Sequence, residues 1–160
     1  MDCGGCTECC ELFHIDSKKA TNGIIESVMI ESPAGVLCDH CDKNVGCKVH
    51  EDRPKICRDF LCSYAQQNNA PIELRPDRCG VIFEKLDDDM FVGTLRPNQP
   101  VSEFGMNQIR AFNKQGFNVV LTKHSTVEPH IMLAEGQDKF KVLKKFLGYR
   151  RIADGKYTNN

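Results

Sequence analysis

Apolar and polar positions alternate most clearly in the second half of the chain. Gly80-Val81-Ile82-Phe83-Glu84 and Met90-Phe91-Val92-Gly93-Thr94-Leu95 are apolar runs joined by Asp87-Asp88-Asp89, a pattern that predicts a β-hairpin. Ser102 is placed to N-cap a helix running to about Gln115. Phe104, Ile109 and Phe112 would share its buried face, and Gly116 would end it. Phe117 to Thr122 reads as a strand and Ile131-Met132-Leu133 as a shorter one. A last helix is expected from about Gln137 to Leu147, with Phe140, Leu143 and Leu147 on one face. The stretch 156–160 is expected to fray. Strands mixed with helices predict an α+β fold built on a small antiparallel sheet with two or three helices, packed on one side.

The first half is less regular. Residues 23–29 read as a strand. Pro54 suits the first turn of a helix that starts near Glu51 or Asp52 and runs to about Ala65. That helix would carry Cys57 and Cys62 on different faces. Residues 67–80 read as a loop.

Composition changes this picture at one point. The length, 160 residues, suits one domain, and nine Phe supply material for a core. Cysteine is the outlier: of ten, nine fall within the first 62 residues and none beyond Cys79. The chain therefore divides into a cysteine-cluster region, 1–80, and an α+β region, 81–160, expected to form one compact unit with the first. Charge divides the same way: the first 80 residues hold 9 basic and 13 acidic side chains, the last 80 hold 12 and 9. The overall balance of −1 gives no reason to expect a nucleic-acid partner. The basic stretch Lys139-Phe140-Lys141, Lys144-Lys145 and Arg150-Arg151 is expected to be the solvated face of a helix.

Met1-Asp2-Cys3-Gly4-Gly5 has neither a basic n-region nor an apolar h-region, and no apolar run is long enough to span a bilayer. A reducing, cytoplasmic setting is expected, with no membrane partner. There, dense cysteines point to metal or redox chemistry ahead of a disulfide framework.

The spacing of the thiols sharpens that expectation. Cys3-Gly4-Gly5-Cys6-Thr7-Glu8-Cys9-Cys10 contains two C-x₂-C steps sharing Cys6. A two-residue spacing lets a tight turn aim two thiolates at one ion, with backbone N–H groups pointing at the sulfurs. The same steps open the bacterial ferredoxin run, but the C-x₃-C-P continuation is absent, so zinc and an iron–sulfur cluster both remain open. Cys38-Asp39-His40-Cys41, Cys47, Cys57 and Cys62 follow. Arg53, Arg58, Lys48 and Lys55 lie close in sequence, able to offset the negative charge of a thiolate-bound metal, with Arg53 and Arg58 expected to support the ligands from behind.

These residues resemble the CxxCxxCC zinc- or iron-chelating proteins, also called YkgJ-like cysteine-cluster proteins. The match runs through Cys3, Cys6, Cys9 and Cys10, then Cys38 and Cys47, then Arg53-Pro54, and finally Cys57-Arg58-Asp59-Phe60 with Cys62. It covers residues 3–62, about a third of the chain. The resemblance implies that Cys3, Cys6, Cys9, Cys10, Cys38, Cys47, Cys57 and Cys62 bind a metal or cluster. His50 stands where the family usually has Tyr, Cys41 where an apolar residue is expected, and Cys79 lies outside the motif. Cys41 and Cys79 are thus additional candidates, Cys79 more in keeping with a packed thiol. His14, His40 and His50 are expected outside the ligand set, and His124 and His130 at the surface. Flagellin lysine methylases carry a similar cluster, which adds a protein-modifying enzyme with a protein partner as an analogy.

Three functions follow. The first is a metal-binding cysteine-cluster protein holding zinc or an iron–sulfur or iron centre. The second is a metal-centre enzyme for electron transfer or protein modification. The third is a metal buffering or delivery protein. The sequence has no G-x-S-x-G, P-loop, dinucleotide-binding or H-E-x-x-H motif, so any catalysis would have to be carried by the metal.

Overall fold

A computed structural model describes residues 5–17, 27–123 and 129–158, with side chains as far as Tyr149. Its secondary structure is α+β, and the main sheet has four strands. β5 (Val81–Asp87) and β6 (Met90–Leu95) form the expected antiparallel hairpin, with a bulge between Lys85 and Asp87. β6 then pairs in parallel with β7 (Asn118–Lys123), and β7 pairs antiparallel with β8 (His130–Met132). The sheet is therefore mixed, because the helix between β6 and β7 crosses over and returns the chain in the same direction.

That crossover helix, α5 (Glu103–Lys114), starts where Ser102 Oγ accepts the Gly105 N–H at 3.2 Å. Ile109 and Phe112 are buried as expected, but Gly105 occupies the third buried position and Phe104 points outward, 53 % exposed. Close approach explains the exchange: a Cβ on Gly105 would stand 2.7 Å from Val101 Cγ1 and 3.1 Å from the Cys79 carbonyl oxygen. The helix packs there by its backbone. On this face of the sheet, Val81, Phe83, Phe91, Val119 and Leu121 meet Ile109 and Phe112, and the Phe91 and Phe112 rings stack at 3.9 Å.

The last helix, α6 (Lys139–Thr158), covers the opposite face. Val142 and Phe146 are buried there against Met90 and Val120. Helices therefore lie on both sides of the sheet, because strand alternation makes both faces apolar: Phe91 and Val119 point one way, Met90 and Val120 the other. The expected apolar face of α6 is also rotated. Phe140 is 81 % exposed and Leu147 43 % exposed, while the i, i+4 pair Val142 and Phe146 makes the contact. The helix continues through Thr158, so residues 156–158 belong to it.

The first half is held by short elements. α1 (Glu8–Leu12) precedes β1 (Ile15–Asp16), which pairs with β2 (Glu31–Ser32). The strand expected at 23–29 falls mostly outside the described residues, and Ser27 and Val28 form a bend. β3 (Cys41–Asp42) and β4 (Gly46–Cys47) make a small hairpin.

The helix expected from Pro54 to Ala65 is instead two. α2 (Lys55–Asp59) ends at an extended Phe60, and α3 (Ser63–Gln66) begins after Cys62. Tertiary packing accounts for the break: the Phe60 ring packs edge-on against Phe13 at 4.9 Å, and Cys62, in extended conformation, is the N-cap residue of α3. The expected loop at 67–80 contains a 3₁₀ turn, Ile72–Leu74, and a short helix, α4 (Pro76–Cys79). Gly80, at φ +79°, ends α4 in the left-handed conformation and feeds β5. Among the described residues there are thus six α-helices, four of them of five residues or fewer.

Candidate metal centre

Most of the described first-half thiols sit on or beside a short element. Gly5, at φ +77°, turns the chain before Cys6, whose sulfur accepts the backbone N–H groups of Glu8 and Asp77. Cys9 and Cys10 lie on α1. The Cys10 carbonyl accepts the Cys38 N–H at 3.0 Å, docking the Cys38 turn onto that helix. In the turn, Cys41 N–H donates to the Cys38 carbonyl at 2.8 Å and the Cys38 sulfur accepts the His40 N–H. Cys47 is the direct register partner of Cys41 across the β3–β4 hairpin. Cys57 lies on α2, and Cys62 is the N-cap residue of α3. Such N–H···S bonds orient thiols and stabilise them when ionised.

The thiols gather in two neighbouring places. In the first, buried Cys38 and Cys41 pack with Ile15 and Ile30, joined by Cys10 and Cys57. The Cys10 side chain packs on this cluster next to Cys9 in the chain, and Cys47 lies across the hairpin from Cys41. In the second, Cys6, Cys9 and Cys62 line a cavity of about 20 Å³ with Tyr64, Pro76 and Ile82. Cys9 stands between the two groups, near Cys57 as well as Cys62. All nine described cysteines are free thiols. Cys3 lies outside the described residues.

Burial sets the protonation of this cluster. It pushes the Cys6 thiol up to about 12 and the Cys57 thiol up to about 11, and it raises Cys38, Cys41 and Cys62 in the same direction. The hydrogen bond between Cys9 and Cys10 holds Cys9 below the ordinary thiol value and raises Cys10. The buried thiols therefore keep their protons near neutrality unless a cation replaces them.

The remaining candidates sit differently. Cys79 is fully buried in the core beneath α5, and its S–H lies 3.2 Å from the Val81 carbonyl oxygen and 3.4 Å from that of Leu74. Those contacts are those of a packed thiol. Arg53 lies beside Cys57 and donates to the His50 carbonyl, and exposed Arg58 donates in turn to the Arg53 carbonyl. His14 and His130 are exposed, His40 and His50 partly so, and His124 lies outside the described residues.

Two residues with no signal in the sequence complete the surroundings. Glu8, inside the cysteine motif, is 3 % exposed and pairs with Arg96 at 3.3 Å. Asp77 supplies the N–H that reaches Cys6. Both tie the cysteine region to the start of the main sheet, since Arg96 N–H also donates to the Gly80 carbonyl at 3.0 Å.

As the side chains stand, no group of three or more His, Cys, Asp or Glu among the described residues is arranged to hold a metal ion. Nor is any helix among them long and apolar enough to cross a membrane. Comparison with protein-family models, curated proteins and solved structures finds no match for the chain.

Proposed function

We propose that the chain is a metal-binding cysteine-cluster protein that holds zinc or an iron–sulfur centre through its thiolates. The observation that carries this reading is the cavity lined by Cys6, Cys9 and Cys62, which brings thiols from two distant segments around a space of about 20 Å³. That is room for about one water-sized occupant. The donor set suits the group: thiolates are soft ligands preferred by zinc and iron–sulfur clusters. Backbone N–H groups of Glu8 and Asp77 beside Cys6, and of His40 beside Cys38, would support ionised sulfurs there.

The centre would supply closure of a region built from short elements, with Arg53 beside Cys57 offsetting thiolate charge. A reducing compartment such as the cytoplasm suits this role, because the ligands have to remain free thiols. The YkgJ-like resemblance of residues 3–62 supports the same reading. The test is thiol accessibility on the full chain. Isolated protein should resist an aromatic disulfide reagent until a strong chelator is added, then expose its cysteines and lose thermal stability. Identical reactivity and melting with and without chelator would contradict the proposal.

A further inference from the structure

Cys41 is the one cysteine among the first 62 residues that falls outside the family-like motif. Its surroundings nonetheless connect it to three motif thiols by independent contacts. It closes the turn with Cys38 through the 2.8 Å backbone hydrogen bond, and the Cys38 sulfur accepts the N–H of His40 inside that turn. It faces Cys47 as the register partner in the β3–β4 hairpin. Cys10 packs against the buried cluster that holds Cys41, and its carbonyl anchors Cys38 at 3.0 Å. Cys41 is 7 % exposed and packs with buried Ile15, Ile30 and Cys38. Cys57 packs against the same group, but no backbone bond or strand pairing ties it to the Cys38 turn.

We propose that Cys41 is a metal ligand that closes a four-thiolate site with Cys10, Cys38 and Cys47. This rests on the metal-binding reading above and divides the thiols it uses. Cys6, Cys9 and Cys62 then belong to the neighbouring cavity, with Cys57 beside Cys9. A C-x₂-C turn paired with thiols from a hairpin and a helix is a donor arrangement suited to a closed tetrahedral centre. As the side chains stand, no three of them are arranged to hold a metal, so binding turns the four thiols toward a common ion, and each bound thiol releases its proton.

The experiment loads full-length protein anaerobically with Co²⁺ as the probe. It compares wild type, Cys41→Ser and Cys79→Ala by metal-to-protein ratio and by thiolate-to-cobalt absorption. Cys79→Ala removes a buried thiol outside both groups and controls for lost packing. The expected result is an unchanged spectrum for Cys79→Ala. Cys41→Ser should bind about half the cobalt, or bind it with one thiolate fewer in its spectrum. Wild-type ratio, spectrum and affinity in Cys41→Ser would overturn the assignment while leaving the metal-binding reading intact. Wild-type protein that takes up no cobalt would overturn both. Should Cys41→Ser misfold, the wild type decides by mass mapping of alkylated thiols. Cys41 should be protected by Zn²⁺ together with Cys10, Cys38 and Cys47, and equal labelling of Cys41 with and without Zn²⁺ would refute the proposal.

Discussion

Arg96 Nη1 lies 3.3 Å from Glu8 Oε1, a contact between the end of the β5–β6 hairpin and the helix that carries Cys9 and Cys10. Glu8 is buried, and its other oxygen has no hydrogen-bond partner among the described residues. Arg96 is thus the charge that makes Glu8 tolerable there. Arg96→Ala should destabilise the folded chain by about 1–3 kcal/mol, the cost of leaving a buried acceptor unpaired. Adding Glu8→Gln should recover part of the loss, because a neutral amide is cheaper to bury than a carboxylate. Urea unfolding of the single and double variants measures both effects, and additive losses would show that the two side chains do not act as a pair.

A second prediction concerns pH. Lys145 Nζ lies 2.7 Å from Asp87 Oδ2 and 2.5 Å from Asp89 Oδ1, and the Tyr149 hydroxyl donates to Asp87 at 2.5 Å. These contacts fasten α6 to the tip of the hairpin. The hydrogen bonds from Lys145 and then Tyr149 hold the Asp87 carboxyl well below its ordinary value of 3.8. Its contribution is present above that value and is lost as pH falls through the lower folded value. The carboxylates raise Lys145 above 10.5 and Tyr149 above 10.0, so their contributions are present below those values and are lost as pH rises through the folded ones. Asp87→Asn should therefore lower the melting temperature by a near-constant amount between about pH 5 and pH 9, the gap closing toward both extremes. A gap independent of pH over the whole range would count against the network.

The rotated face of α6 gives a third. Phe146→Ala should cost about 3–5 kcal/mol, the usual loss for a buried aromatic. Phe140→Ala should stay within about 0.5 kcal/mol, as for exposed sites. Equal losses would restore the face expected from the sequence.

That face shows where the sequence was legible and where it was not. The hairpin, the Ser102 cap and β7 were readable because local chemistry decides them: alternation, a cap hydroxyl, a β-branched run. On α6, Phe140, Leu143 and Leu147 and the alternative pair Val142 and Phe146 both fit a helical period, and only the sheet's second apolar face selects between them. The break at Phe60 was hidden for a similar reason. No Gly or Pro marks it, and it follows from contacts with Phe13 and at Cys62. The cysteine motif marked every thiol of the two groups except Cys41, which stood only as an additional candidate where an apolar residue is expected. Glu8 and Asp77 carried no signal, since one is an intervening position in the motif and the other acts through its backbone.

The thiol groups make a fourth prediction. Metal uptake by apo-protein should release protons, because the thiols held up by burial, Cys6 and Cys57 among them, have to ionise to bind. Weakly buffered solution with a pH indicator, titrated with Zn²⁺, reads this directly. Binding without proton release would indicate ligands other than these thiols.

The most direct measurement is elemental analysis, with an absorption spectrum, of the full chain purified anaerobically without added metal. The account predicts tightly held metal in a fixed integer ratio. Colourless protein would identify zinc, and brown protein absorbing near about 400 nm would identify an iron–sulfur centre. Protein isolated without metal, with all its thiols reactive and unable to take up zinc or reconstitute a cluster, would contradict it.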